Sequence, residues 1–127
     1  MLKGIVIFTF NEKRGMHIET KFPIEFDLDP SILMRIYTAH AYDKSVKFFS
    51  LSVGSLNIAS TYTGSEMDLY ISLILDTEDD PDDYEDILDY AGIQLLNKLS
   101  KERYLDLIPS IFSRIVYLYK KKKQDKD

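Results

Sequence analysis

Lys3-Gly4-Ile5-Val6-Ile7-Phe8-Thr9-Phe10 is the stretch on which the fold turns. In an extended chain successive side chains face opposite sides, so Ile5 and Ile7 share one side while Val6, Phe8 and Phe10 share the other. Both sides are apolar. A strand of that kind is buried on both faces, which places it centrally in a sheet. A secretory signal is the competing reading. The apolar run is too short for one, and no small-residue cleavage site follows before Glu12, Lys13 and Arg14.

The polar link Asn11–Gly15 comes next, with Gly15 free to take the positive φ a tight reversal needs, and a second strand is predicted over about 16–22. Asp29-Pro30 starts a helix: the Asp side chain accepts from free N–H groups of the first turn, and Pro fits the first helical position. That helix runs to about residue 42, with Leu33, Ile36, Tyr37 and His40 on one face, and Asp43-Lys44-Ser45 ends it. Three strands are predicted near 46–53, 56–63 and 68–75, joined by Gly54-Ser55 and by Gly64-Ser65-Glu66. Leu69–Leu75 is again apolar on both sides and is expected beside the first strand.

Asp80-Pro81 repeats the helix-start signal. Tyr84, Ile87, Leu88, Ala91, Leu95 and Leu99 form a helical stripe, with Gly92 allowing close approach to the sheet. A second stripe joins Leu105, Ile108, Phe112, Ile115, Val116 and Tyr119. Pro109 either kinks this last helix or starts it, with 101–107 then a separate short turn. The order β-β-α-β-β-β-α-α gives an α+β fold: a five-stranded, mostly antiparallel sheet covered by helices. Residues 1–120 form one domain, and 121–127 are expected to be a flexible polar tail.

Composition narrows the function. The chain has 127 residues, of which 45% are hydrophobic, enough for one ordinary core. A net charge of −5 argues against binding nucleic acid, where Lys and Arg must neutralise phosphates. With no cysteine there is no disulfide, thiolate nucleophile or Cys-based metal site. No apolar run reaches the roughly 20 residues that span a bilayer, and a cytoplasmic protein is expected.

The order of elements resembles that of longin domains (a profilin-like architecture), and the chain is similar to the short, free-standing longin-type proteins of archaea. The likeness rests on Lys3–Phe10 with the Asn11–Gly15 turn, on Phe49–Ser60, and on Leu73–Asp83 ahead of the next helix. It implies a non-catalytic module that forms homo- or heterodimers with longin or roadblock-type domains. Such dimers are platforms for small GTPases and vesicle-trafficking complexes. A SNARE of this family carries a long heptad helix after the domain. Only a few residues follow Tyr119, so a SNARE role is not expected.

Candidate sites follow from residue chemistry. The acidic run from Asp76 to Asp86 could attract a hard cation, but Pro81 stands where an EF-hand needs glycine and no closing Glu is in register. Carboxylates at a helix start are the better reading. His17 and His40 have no partner visible in the sequence, and no glycine-rich phosphate loop occurs, so neither an enzyme nor a cofactor is expected. Arg14 sits at a hairpin tip, from which an arginine could reach a partner's phosphate. Lys120–Lys123 could touch an anionic membrane, at most peripherally. The best-supported surface is the first helix with its neighbouring strand, carrying Tyr37, His40, Tyr42, Phe48 and Tyr62, with Tyr70 named beside them. A ligand held in the hollow between sheet and helices is the alternative.

Overall fold

The fold is described from a computed structural model covering residues 2–65, 67–90 and 101–125. Its elements are β1 (Leu2–Asn11), β2 (Gly15–Phe22), α1 (Pro30–Tyr42), β3 (Phe48–Val53), β4 (Leu56–Tyr62) and β5 (Tyr70–Asp76). A 3-10 turn (Pro81–Tyr84), α2 (Glu85–Leu88) and α3 (Lys101–Asp125) follow. The strands form one antiparallel sheet in the order β2-β1-β5-β4-β3. This is an α+β fold, with a five-stranded sheet and three helices among the described residues. As expected from their two-sided apolar pattern, β1 and β5 are neighbours at the centre, with Ile5 opposite Leu73 and Ile7 opposite Ile71.

Each face of the sheet has its own core. Val6, Phe8, Ile58 and Ile74 pack with Leu28 and with Leu33 and Ile36 of α1. On the other face Ile5, Ile7, Ile71, Leu73 and Leu75 pack with Tyr84, Ile87 and Leu88 and with Ile108, Ile111 and Ile115 of α3. The described residues thus form three layers, with α1 on one side of the sheet and α2 and α3 on the other. Gly4 sits in β1 where space is short: a Cβ there would lie 3.2 Å from the Phe22 carbonyl oxygen and 3.5 Å from the Phe26 ring.

Local chemistry sets the turns. Asn11 Oδ1 accepts from the backbone N–H of Lys13 at 2.8 Å, and Gly15 closes the reversal at φ 77. Gly54 at φ 61 makes the two-residue link between Val53 and Leu56, which pair directly. Asp29 Oδ1 accepts from Ser31 N at 2.9 Å and caps α1. Asp80 Oδ1 accepts from Asp82 N at 3.0 Å at the second Asp-Pro start.

Several boundaries differ from the sequence reading. β3 begins at Phe48 rather than 46, because Val46 N bonds back to the Asp43 carbonyl at 3.2 Å in a turn. β5 begins at Tyr70 rather than 68, because Asp68 has φ 56 and cannot continue an extended strand. The predicted helix from Tyr84 opens with the 3-10 turn and α2; Ala91, Gly92, Leu95 and Leu99 lie outside the described residues. Of the two readings of Pro109, the internal one holds: α3 runs through it from Lys101. Lys121–Asp125, expected in a flexible tail, are helical.

Burial ranks the contributions. Ile74 has 0% exposure in the middle of β5, so Ile74→Ala should cost about 2–5 kcal/mol. Asp29→Ala, which removes one cap, should cost about 1 kcal/mol. Urea unfolding monitored by circular dichroism checks both values and their order.

Candidate functional site

The C-terminal half of α1, the end of β1 and the β4–β5 turn enclose a cleft of about 400 Å³. Its walls are aromatic because alternation sends Phe10, Tyr62 and Tyr70 to the α1 face of the sheet, while helical spacing sends Tyr37 and His40 down to meet them. Tyr70 is the centre of the cluster. Its ring lies 5.1 Å from Phe8, 4.7 Å from Tyr62, 5.8 Å from Tyr37 and 5.2 Å from His40, centroid to centroid. Phe10 and Tyr37 stack at 3.9 Å.

Polar groups converge on these rings. The Tyr62 hydroxyl donates to Asp68 Oδ1 at 2.7 Å. Asp68 reaches it from a left-handed backbone, φ 56, held by a bond from its own N–H to the Gly64 carbonyl at 2.7 Å. Asp tolerates that region better than most residues, and a non-glycine residue placed there is worth a functional question. Burial, reinforced by Asp68, raises the Tyr62 pKa well above the usual phenol value. Burial, then the Tyr37 and Asp68 side chains, pushes Tyr70 up to about 12. Both phenols are therefore neutral donors at pH 7. Glu12 and Lys44 complete the rim.

His40 is 4% exposed. Its Nε2 lies 2.9 Å from Ser60 Oγ, which lies 2.8 Å from Ser72 Oγ. Its other ring nitrogen, Nδ1, is buried and has no hydrogen-bond partner among the described residues. Burial pushes the His40 pKa down to about 4, so the ring is neutral at pH 7. The His–Ser contact is not arranged for nucleophilic attack. That chemistry needs an accessible hydroxyl and a base oriented by a third group. Ser60 has 0% exposure, and no described residue orients Nδ1.

Of the residues singled out from sequence, Tyr37, His40, Tyr62 and Tyr70 come together in this cleft. Tyr42 does not: it is 91% exposed on the outward face of α1. Phe48 is partly buried against the core on the opposite face of the sheet. Arg14 is exposed at the β1–β2 turn, its backbone N–H bonded to Asn11 Oδ1 at 3.3 Å. Asp68, Glu12 and Phe10 were not legible as site residues. Their one signal is that each lies at a strand end or in a turn, a position shared with many unremarkable residues.

A second feature lies on the outward side of α1. Met34, Thr38 and Tyr42 form one ridge at a spacing of four, and Ser31, Arg35 and Ala39 form another; together they line a shallow, largely apolar groove. It shares no residue with the cleft.

The two charged features of the sequence meet each other. Lys122 Nζ donates to Asp86 Oδ1 at 2.9 Å and to the Asp83 carbonyl at 2.9 Å, and Lys123 Nζ donates to Asp83 Oδ2 at 2.7 Å. Lys3 pairs with Asp76 at 3.1 Å. Among the described residues no group of three or more His, Asp or Glu is placed to hold a metal ion. No helix among them is long and apolar enough to cross a membrane. Compared with known protein families, curated proteins and solved structures, the chain gives no match.

The His40 environment predicts a pH dependence. Its folded pKa lies below the ordinary imidazole value of 6.5, so the unfolded chain binds the proton more tightly. Its stabilising contribution is complete above pH 6.5 and is lost as pH falls toward about 4. The loss should be on the order of 3 kcal/mol. The difference between wild type and His40→Gln, followed by urea unfolding across that range, isolates it. A constant difference would show that His40 does not titrate as described.

Proposed function

We propose that the chain is a non-catalytic interaction module of the cytoplasm: a longin-type scaffold or regulator that dimerises with itself or a related domain and serves a small GTPase or trafficking-like complex. The observation that carries this reading is the outward face of α1. Met34 is 46% and Tyr42 91% exposed, and Val46, in the link to β3, is 41% exposed. Two parallel ridges four residues apart, with a groove between them, are the surface on which a second helix packs at about −50°. α1 packs beside β3, and β3 is an outer strand of the sheet with no strand on its far side among the described residues. Unpaired strand edges favour pairing with another chain. The family part of the reading draws on the element order and the antiparallel five-stranded sheet. The cleft supports the second reading, a ligand-binding domain, and the two uses involve different residues of α1.

Light scattering coupled to size exclusion should give twice the chain mass at high concentration, or a mixed dimer once a related domain is supplied. Tyr42→Asp should return the species to monomer. As Tyr42 makes little contact within the chain, the melting temperature of the monomer should stay within about 0.5 kcal/mol equivalent of wild type. A strict monomer at high concentration that also captures no small GTPase overturns the proposal.

A further inference from the structure

We propose that the cleft between α1 and the β4–β5 turn binds a small organic cation, an alkyl- or methyl-ammonium group carried on a compact apolar body. The site is built from rings and negative charge. Tyr37, Tyr62 and Tyr70 present electron-rich aromatic surface, against which an ammonium is attracted by the ring quadrupole. Asp68 is anchored at the mouth by the Tyr62 hydroxyl, and Glu12 adds a second carboxylate. The last turn of α1 ends at this cleft, and the carbonyls of a helix C-terminus carry partial negative charge. Among the described lining residues Lys44 is the one lysine or arginine, against two carboxylates and the helix end.

His40 makes the same point from the inside. A histidine that titrated normally would bring positive charge into the cleft at mildly acidic pH, whereas this one stays neutral down to about 4. When Nε2 carries the proton and donates to Ser60, Nδ1 is left as an acceptor without a donor. A volume of about 400 Å³ lies at the small end of the range for small-molecule pockets. An anionic ligand finds two carboxylates and the wrong end of a helix. A neutral apolar one leaves Asp68 without a counter-charge.

The test uses the full chain and two probes of one shape: choline, and 3,3-dimethylbutan-1-ol, in which carbon replaces the charged nitrogen. Binding is followed by amide and aromatic chemical-shift titration in nuclear magnetic resonance. Choline should shift the resonances of Tyr37, Tyr62 and Tyr70 saturably, with the neutral isostere at least about tenfold weaker. Asp68→Asn should weaken choline about tenfold. Tyr62→Phe, which keeps the ring and loses the hydroxyl that anchors Asp68, should weaken it less than Tyr62→Leu. Spectral dispersion confirms that each variant is folded. Equal binding of both probes, shifts confined to other residues, or no saturable shift from choline in the folded wild type overturns the inference. The outcome is independent of the dimer, since none of these residues lies in the outer groove of α1.

Discussion

The pairing of β1 with β5 is the constraint from which the rest of the architecture follows. Both strands are apolar on both sides, and Ile5, Val6, Ile7, Phe8, Leu73, Ile74 and Leu75 are each at most 1% exposed. A pair of strands in that state cannot sit at an edge or under a single layer. It must be flanked by other strands and covered twice. β2 and β4 supply the flanks, α1 covers the face of Val6 and Phe8, and α2 with α3 covers the face of Ile5 and Ile7. Removing either cover would expose an apolar surface that no monomer keeps in water at small cost.

The charged segments are explained by the same closure. After β5 leaves the sheet the chain must turn back across one face, and Asp80-Pro81 starts that return with a capped turn. Carboxylates there meet the lysines at the end of α3, which completes the same layer. Exposed pairs of this sort are worth about 0–1 kcal/mol each, so they set the register of the last helix more than its stability. The two charged features thereby engage each other: Asp83 and Asp86 accept from lysines, and Lys122 and Lys123 are held at the far end of the helix.

Much of this architecture is written locally and could be read without coordinates. Two-sided apolar runs, a two-residue Gly54-Ser55 link and two Asp-Pro caps specify elements within a few residues of themselves. The cleft is different in kind. Phe10, His40, Tyr62 and Asp68 are separated by tens of residues, and no periodicity links them. The helix face that holds Tyr37 and His40 was legible, as was the possible use of Tyr62. That Phe48 would turn to the opposite face from His40 depends on strand register, which one residue of slip reverses. That Asp68 would adopt a positive φ and meet Tyr62 depends on the whole β4–β5 turn. Ser60 and Ser72 become partners of His40 only once β4 and β5 are paired, with Ser60 opposite Ser72.

The polar groups at the base of the cleft also bear on why it exists. One turn earlier on α1, Leu33 and Ile36 fill the same interlayer space with apolar side chains and leave nothing unsatisfied. At position 40 a leucine would do the same. Histidine instead brings two ring nitrogens into a site with 4% exposure, satisfies one through Ser60, and leaves the other unpaired. An unpaired buried polar atom costs about 1–3 kcal/mol. Among the described residues nothing offsets that cost, since the serine chain stabilises only the nitrogen that faces it. His40 nonetheless lines the cleft, beside the aromatic walls and the carboxylates of Glu12 and Asp68. On the proposed reading, the stability forgone at His40 keeps this wall of the cleft polar, which a leucine there would not do.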